Sequence, residues 1–265
     1  SIAVYNSEDD TYYAFVLDEK KKLTLQSKDN VVIESFEDEY SLLQRFFVKY
    51  IELKPTIITG WNIDTFDMPY LYNRACKIVG SNIAGMLSPI QEVQWNKHRK
   101  RYMFGGVSCL DYFSLYKLFT YTQLSSYRLD AVAEYELGEN KVEYSGTLND
   151  LYENNINKFV EYNIHDVRLV KKMHDKLDFI DMARGVCHVG HVPYEDIYFS
   201  SRYLEGAILV YLKNLGVVAP NKPPKPKKEG KFAGAYVQSP QRGKHDWVFD
   251  LDISSMYPSV IMSLN

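Results

Sequence analysis

A short apolar run ends abruptly at a glycine in this sequence, and the residues just beyond that glycine decide the class of fold. Pro55-Thr56-Ile57-Ile58-Thr59 is β-branched and too brief for an amphipathic helix, so it is expected to form a buried strand that Gly60 terminates. Asn62, Phe66 and Asp67 come next, at a strand's carboxyl end, where open α/β sheets gather their ligand-binding groups. Asp67 is therefore a candidate for chemistry. The plainer alternative is that Asn62 and Asp67 are loop and helix-capping residues, which Asn and Asp become for hydrogen-bonding reasons alone.

Two later stretches carry comparable signals. Between Asn157 and Leu177, apolar residues recur at Val160, Ile164, Val167, Val170 and Met173, a spacing of three or four that predicts a helix. Tyr162 and Asp166 lie four apart on it, so they share one face and can approach one ligand. Near the end, the alternation from Trp247 to Ile253 predicts a strand delivering Asp252, and Pro258 suits the first turn of a following helix.

Taken together and in order, these stretches resemble the family B DNA polymerases, those of T-even-type bacteriophages in particular. Asn62-x-x-x-Phe66-Asp67 resembles the second exonuclease motif, Tyr162-x-x-x-Asp166 the third, and Asp252-Ile253-Ser254-Ser255-Met256-Tyr257-Pro258 polymerase motif A, with Met256 in a leucine position. Phe232-Ala233-Gly234-Ala235 resembles the family's Tyr-x-Gly-Gly/Ala segment, which binds single-stranded template; Phe232 replaces its tyrosine, keeping a stacking contact and losing a hydroxyl. The resemblance implies an α/β, ribonuclease-H-like 3'-5' exonuclease domain over residues 1–215, a Pro/Lys-rich linker over 216–231 and the start of a polymerase palm over 232–265.

It also implies roles. Asp67 and Asp166 would be metal ligands, with Tyr162 orienting the attacking water or the scissile phosphate. Asp252 would hold the metals of DNA synthesis, while Tyr257, beside Ser255 and Met256, packs under the incoming sugar and excludes ribonucleotides. Asn62, Phe66, Phe232 and Gly234 would contact DNA. The expected cofactor is Mg²⁺ in two-metal sites, with Mn²⁺ as a substitute, because hard cations take carboxylate oxygens. The expected partners are primer-template DNA, the single-stranded primer 3' end, deoxynucleoside triphosphates, further polymerase segments and, through regions beyond this sequence, a sliding clamp.

The remaining sequence fits around these motifs. Ile2 to Tyr5 and Thr11 to Leu17 read as strands. Leu42, Leu43, Phe46, Phe47 and Tyr50 form a helical stripe, and Met68 to Ile78 reads as a further helix. Val93 to Trp95 and Tyr102 to Phe104 flank a basic turn, a hairpin whose Lys97, Arg99 and Arg101 would either grip phosphates or guard a solvated edge. Gly106 to Tyr112 is expected to be a buried strand, with structural roles for Asp111 and Asp130, and Ser200 to Leu215 a helix stopped by Gly216. Cys187-His188-Val189-Gly190-His191 is read as a loop, since one thiol and two imidazoles without a complementary cluster make a poor zinc site. Most of the 22 Tyr and 13 Phe are assigned to the core and its rim.

A net charge of -3 supplies no overall field for nucleic acid, so DNA contacts must be local. Three cysteines without paired spacing argue against a disulfide framework, and the absence of a signal-like or membrane-length apolar run points to the cytoplasm, the host's if the source is viral. The first exonuclease motif, Asp-x-Glu, is expected before Ser1, and the palm's second aspartate after Asn265. The segment alone is then expected to be inactive, with a gap in its sheet. The competing readings are a non-catalytic DNA-binding or assembly subunit of a split polymerase and a stand-alone exonuclease; the terminal motif A speaks against the latter.

Overall fold

The computed structural model describes residues 1–139, 146–221 and 234–264. Its chain separates into two compact units, Ser1–Ala219 and Pro220–Asn265.

The first unit is a mixed α/β structure with three small sheets. Strand β1 (Ile2–Asn6) turns into β2 (Thr11–Leu17), antiparallel with Ile2 opposite Phe15, and β3 (Val31–Phe36) lies parallel on the other side of β2. Helix α1 (Glu39–Leu53) follows, its first turn closed by Asp38, whose carboxylate accepts from the Ser41 N–H at 2.8 Å. Then come β4 (Ile57–Gly60), α2 (Asp67–Ile78) and the short α3 (Ser81–Ala84). The hairpin of β5 (Val93–Asn96) and β6 (Arg101–Phe104) pairs Val93 with Phe104, and β7 (Ser108–Asp111) returns to lie parallel to β4. Helices α4 (Tyr112–Phe119), α5 (Leu129–Leu137), α6 (Leu148–Asn154), α7 (Ile156–Leu177), α8 (Phe179–Gly190) and α9 (Ser200–Asn214) complete the unit.

Strand periodicity distributes the core over two faces. Tyr13 and Phe15 of β2 pack with Leu42, Leu43, Phe46 and Phe47 of α1, and Ile58 and Cys109 of the β4–β7 pair join the same cluster. On the opposite face, Tyr12, Ala14 and Val16 meet Ile156, Val160 and Ile164 of α7. Farther along α7, Leu169 and Met173 meet Leu110, Tyr112 and Leu115. One helix thus serves clusters under both sheets, and α1 covers the other side.

Several sequence expectations are corrected here. Cys187 and His188 lie in the last turn of α8 rather than in a loop, with His191 capping it in a left-handed conformation. Cys187 is buried, and its thiol donates to the Tyr194 carbonyl at 3.6 Å. Trp247 to Ile253 forms no strand; among the described residues of the second unit nothing pairs with it, and alternation without a partner leaves backbone groups to water. The second unit's described helix is α10 (Met256–Leu264). Strand β3 and helix α8 have no counterpart in the sequence pattern.

Helices α8 and α9 meet through glycines. A Cβ on Gly206 would stand 1.9 Å from the Gly190 carbonyl oxygen, so a side chain there forces α9 outward. No residue of α9 is fully buried, which leaves this close approach unusually important to its seating. Gly206→Ala is expected to destabilise the unit by about 1–3 kcal/mol, as overpacked sites do, read as a lower thermal midpoint.

Candidate active site

Asp67 is the first residue of α2, immediately beyond the loop that leaves β4. That loop doubles back tightly: a Cβ on Gly60 would come within 2.5 Å of the Ile63 side chain, which is why glycine ends the strand. Asn62 takes a left-handed φ of 65° and donates its backbone N–H to Asp111 Oδ1 at 2.7 Å. The Asn62 side-chain oxygen accepts from Thr65 Oγ1 at 2.6 Å, so it stabilises the loop internally. Asp111, buried at the end of β7, also accepts from Ser114 Oγ at 2.8 Å, the structural role expected of it.

The Asp67 residue is open to solvent overall, yet neighbouring protein crowds its carboxyl and pushes it above the ordinary aspartate value. Among the described residues no lysine or arginine forms an ion pair with it. Beside it, Phe66 and Tyr70 are 65% and 62% exposed, and their rings are parallel to within 8° with centroids 6.2 Å apart. Two large aromatic faces left in water next to a carboxylate form a surface suited to a flat partner.

Tyr162 and Asp166 occupy successive turns of α7, the tyrosine buried and the aspartate half-buried. This part of α7 packs on β1, where Ser1 Oγ donates to Asn163 Oδ1 at 3.1 Å. Elsewhere in the unit, Glu39 of α1 holds Arg74 of α2 through Nε at 2.7 Å. The described group of three ligand-type side chains lies elsewhere: His174, Asp178 and Asp181, at the α7–α8 junction, have donor atoms within 4.8 Å of one another. None of the sequence-assigned ligands belongs to it, and Asp181 is engaged by Arg184 at 2.5 Å.

The expected hairpin forms, and two of its three named cations are engaged by carboxylates. Arg101, expected at DNA, is only 5% exposed, and its guanidinium faces Asp64 in an ion pair rather than solvent. Arg99, also expected at DNA, pairs with Asp196 at 2.7 Å and lies 4.5 Å from the Phe199 ring. Lys97 stays exposed at the tip. In the second unit, Asp252, Ser255, Met256 and Tyr257 are all exposed, Ser255 with φ 50° just before α10. Gly234 is exposed as well, while Phe232 and the lysines of the linker up to Lys231 lie outside the described residues. Sequence reasoning misses Asp64 and its pairing with Arg101, because charge in a turn reads as exposure until the distant partner is known.

Residues 2–132 match the sequence profile described as DNA polymerase family B, exonuclease domain, and residues 198–265 match that of DNA polymerase family B. The chain belongs to the family B DNA polymerases. Its relatives in that family include the DNA-directed DNA polymerase of Escherichia phage RB69, 31% identical over 89% of this chain and 27% of the relative. The DNA-directed DNA polymerase of Enterobacteria phage T4 is 30% identical over 100% of this chain and 32% of its own length. The DNA polymerase delta catalytic subunit of Drosophila melanogaster is 29% identical over 86% of this chain and 22% of its own. The chain thus spans less than a third of each of these polymerases. No described helix is long and apolar enough to cross a membrane.

The cysteines of this family B chain give a simple check on its packing. Burial pushes the Cys109 thiol up to about 12 and Cys187 to about 11, leaving almost no thiolate near neutrality. Cys76 is only half-buried. Mass spectrometry after brief alkylation of the native protein near pH 8 is expected to find Cys76 modified well before the other two.

Proposed function

We propose that this chain is part of a DNA-directed DNA polymerase that carries 3'-5' proofreading exonuclease activity, and that its first unit is the exonuclease domain. The observation that carries the reading is the pairing of a β4-end carboxylate with exposed aromatics, Asp67 beside Phe66 and Tyr70, in a chain whose two ends match family B profiles.

The fold supports a ribonuclease-H-like arrangement with one strand to be added. The β1–β2–β3 and β4–β7 sheets share the cluster on the α1 side but have separate clusters on the α7 side, and every residue of β1 and of β4 is only half-buried, unlike the buried run within β2. Apolar parallel strands are normally covered on both faces and paired at both edges. On this reading a strand bearing the Asp-x-Glu motif would join the two sheets at β1 and β4 and bring further carboxylates to the end of β4 where Asp67 stands.

Asp67 and Asp166 are suited to Mg²⁺: both offer hard oxygen donors, and Asp67 has no ion-pairing cation of its own among the described residues. Mg²⁺, or Mn²⁺ in its place, would stabilise the attacking and leaving oxygens of a displacement at phosphorus. The protein's own part is positional. Phe66 with Tyr70 would stack an unpaired primer-end base, stacking being tolerant of base identity. Asn62 shapes the loop beside them, and Tyr162 would orient the water or the scissile phosphate. In the second unit, read as the start of the palm, Asp252 would take the same metal-holding role for synthesis, with Ser255, Met256 and Tyr257 at the nucleotide and Gly234 along the template.

The test is the full-length protein carrying this sequence, supplied with Mg²⁺, deoxynucleoside triphosphates and a primer-template with a mispaired end. Removal of the mispaired nucleotide, then templated extension, is expected, and chelation of the metal should stop both. A full-length protein that binds this DNA but neither digests nor extends it would instead establish a non-catalytic assembly role.

A further inference from the structure

We propose that Arg101 is a positioning residue for the exonuclease reaction: through its buried ion pair with Asp64 it fixes the loop that carries Asp67. The inference rests on the polymerase reading above and extends it, since Arg101 acts through Asp64.

The argument begins with cost. The Arg101 and Asp64 side chains are 7% and 13% exposed, and only the Arg101 Nη1 donates to Asp64. Arg101 Nε and Nη2 are buried without a hydrogen-bond partner among the described residues. Burial pushes the Asp64 carboxyl up despite Arg101's opposing pull. Buried ion pairs contribute little to stability, and well-packed apolar replacements often do as well or better; leaving two donors unpaired makes this one poorer still. Stability alone therefore does not explain the arrangement.

Placement does. Asp64 lies three residues before Asp67, in the middle of the loop between β4 and α2. The loop's start is held by the Asn62 N–H on Asp111, and its middle by Asp64 on β6. Tyr198 braces both ties: its ring lies 5.7 Å from the Arg101 guanidinium, and its hydroxyl donates to the Asp111 carbonyl at 3.2 Å. A loop fastened at two buried polar points presents the following carboxylate in one orientation, the pre-organisation that positioning chemistry requires.

The experiment compares Arg101→Met/Asp64→Leu, Arg101→Lys and Asp67→Ala in the full-length protein, reading thermal unfolding, the kcat and KM of primer digestion, and the Mg²⁺ concentration giving half-maximal rate. The double substitution removes both charges, so no uncompensated ion is left to unfold the protein. Its thermal midpoint should match or exceed that of the unsubstituted protein, while kcat falls by on the order of 10²-fold at little-changed KM, as a misplacement of about 1 Å produces. Its Mg²⁺ requirement should rise. Arg101→Lys should recover most of the rate, since Asp64 receives a single donor. A stable double variant with full kcat and an unchanged Mg²⁺ requirement overturns the proposal, as does a rate that falls only with the folded fraction. Digestion persisting in Asp67→Ala would instead overturn the assignment of Asp67 and the exonuclease reading beneath it.

Discussion

Asp67→Ala in the full-length protein is expected to reduce removal of a mispaired primer end by on the order of 10³-fold, equivalent to about 4 kcal/mol of lost transition-state stabilisation. Extension of a correctly paired primer should continue at close to its original rate, because Asp67 lies in the first compact unit and the motif A carboxylate in the second. The fold should tolerate the change well. Asp67 is exposed, its side chain caps nothing, and losing a carboxylate from the first turn of α2 forfeits about 0.3–1 kcal/mol of helix-dipole interaction. Gel resolution of digestion and extension products from one reaction checks both halves. Digestion at the native rate would exclude Asp67 as a metal ligand.

Asp252→Ala is the converse. Templated synthesis is expected to fall by at least on the order of 10³-fold for the same reason, loss of a carboxylate that would hold the metal at phosphorus. Degradation of the primer end should persist, and become the dominant fate of the DNA when nucleotides are present. The two substitutions are thus expected to separate the two proposed activities. A single active centre serving both reactions would make them fail together.

Much of this arrangement can be read from residue order. The stripe of α1 and the long face of α7 announce themselves by period, because each presents an apolar face to its neighbours, while β2 shows as a short apolar run because both its faces are buried. The proposed roles of Asp67 and Asp166 rest instead on their spacing to Phe66 and Tyr162, a motif resemblance rather than a hydrophobic period. The features that escape depend on partners distant in the chain. Strand β3 is held by parallel pairing to β2 across an intervening polar segment, so its own six residues do not reveal it. Helix α8 begins directly after α7, with Asp178 alone turning the chain at φ 53°, and no loop marks the boundary. Trp247 to Ile253 shows the reverse error, an alternating pattern that no neighbouring strand completes. Arg101 looks exposed because it is charged, and only Asp64, 37 residues away, draws it inside.

The span of α7 has a mechanical consequence. Its first half is seated on β2 and its second on β7 and α4, with Asp166 between the two seats. The helix therefore behaves as a stiff beam resting on two supports, and lowering either support tilts the carboxylate it carries. Trimming Val16 or Met173, both distant in sequence from the residues read as touching DNA, would change the angle at which α7 presents the Asp166 carboxylate.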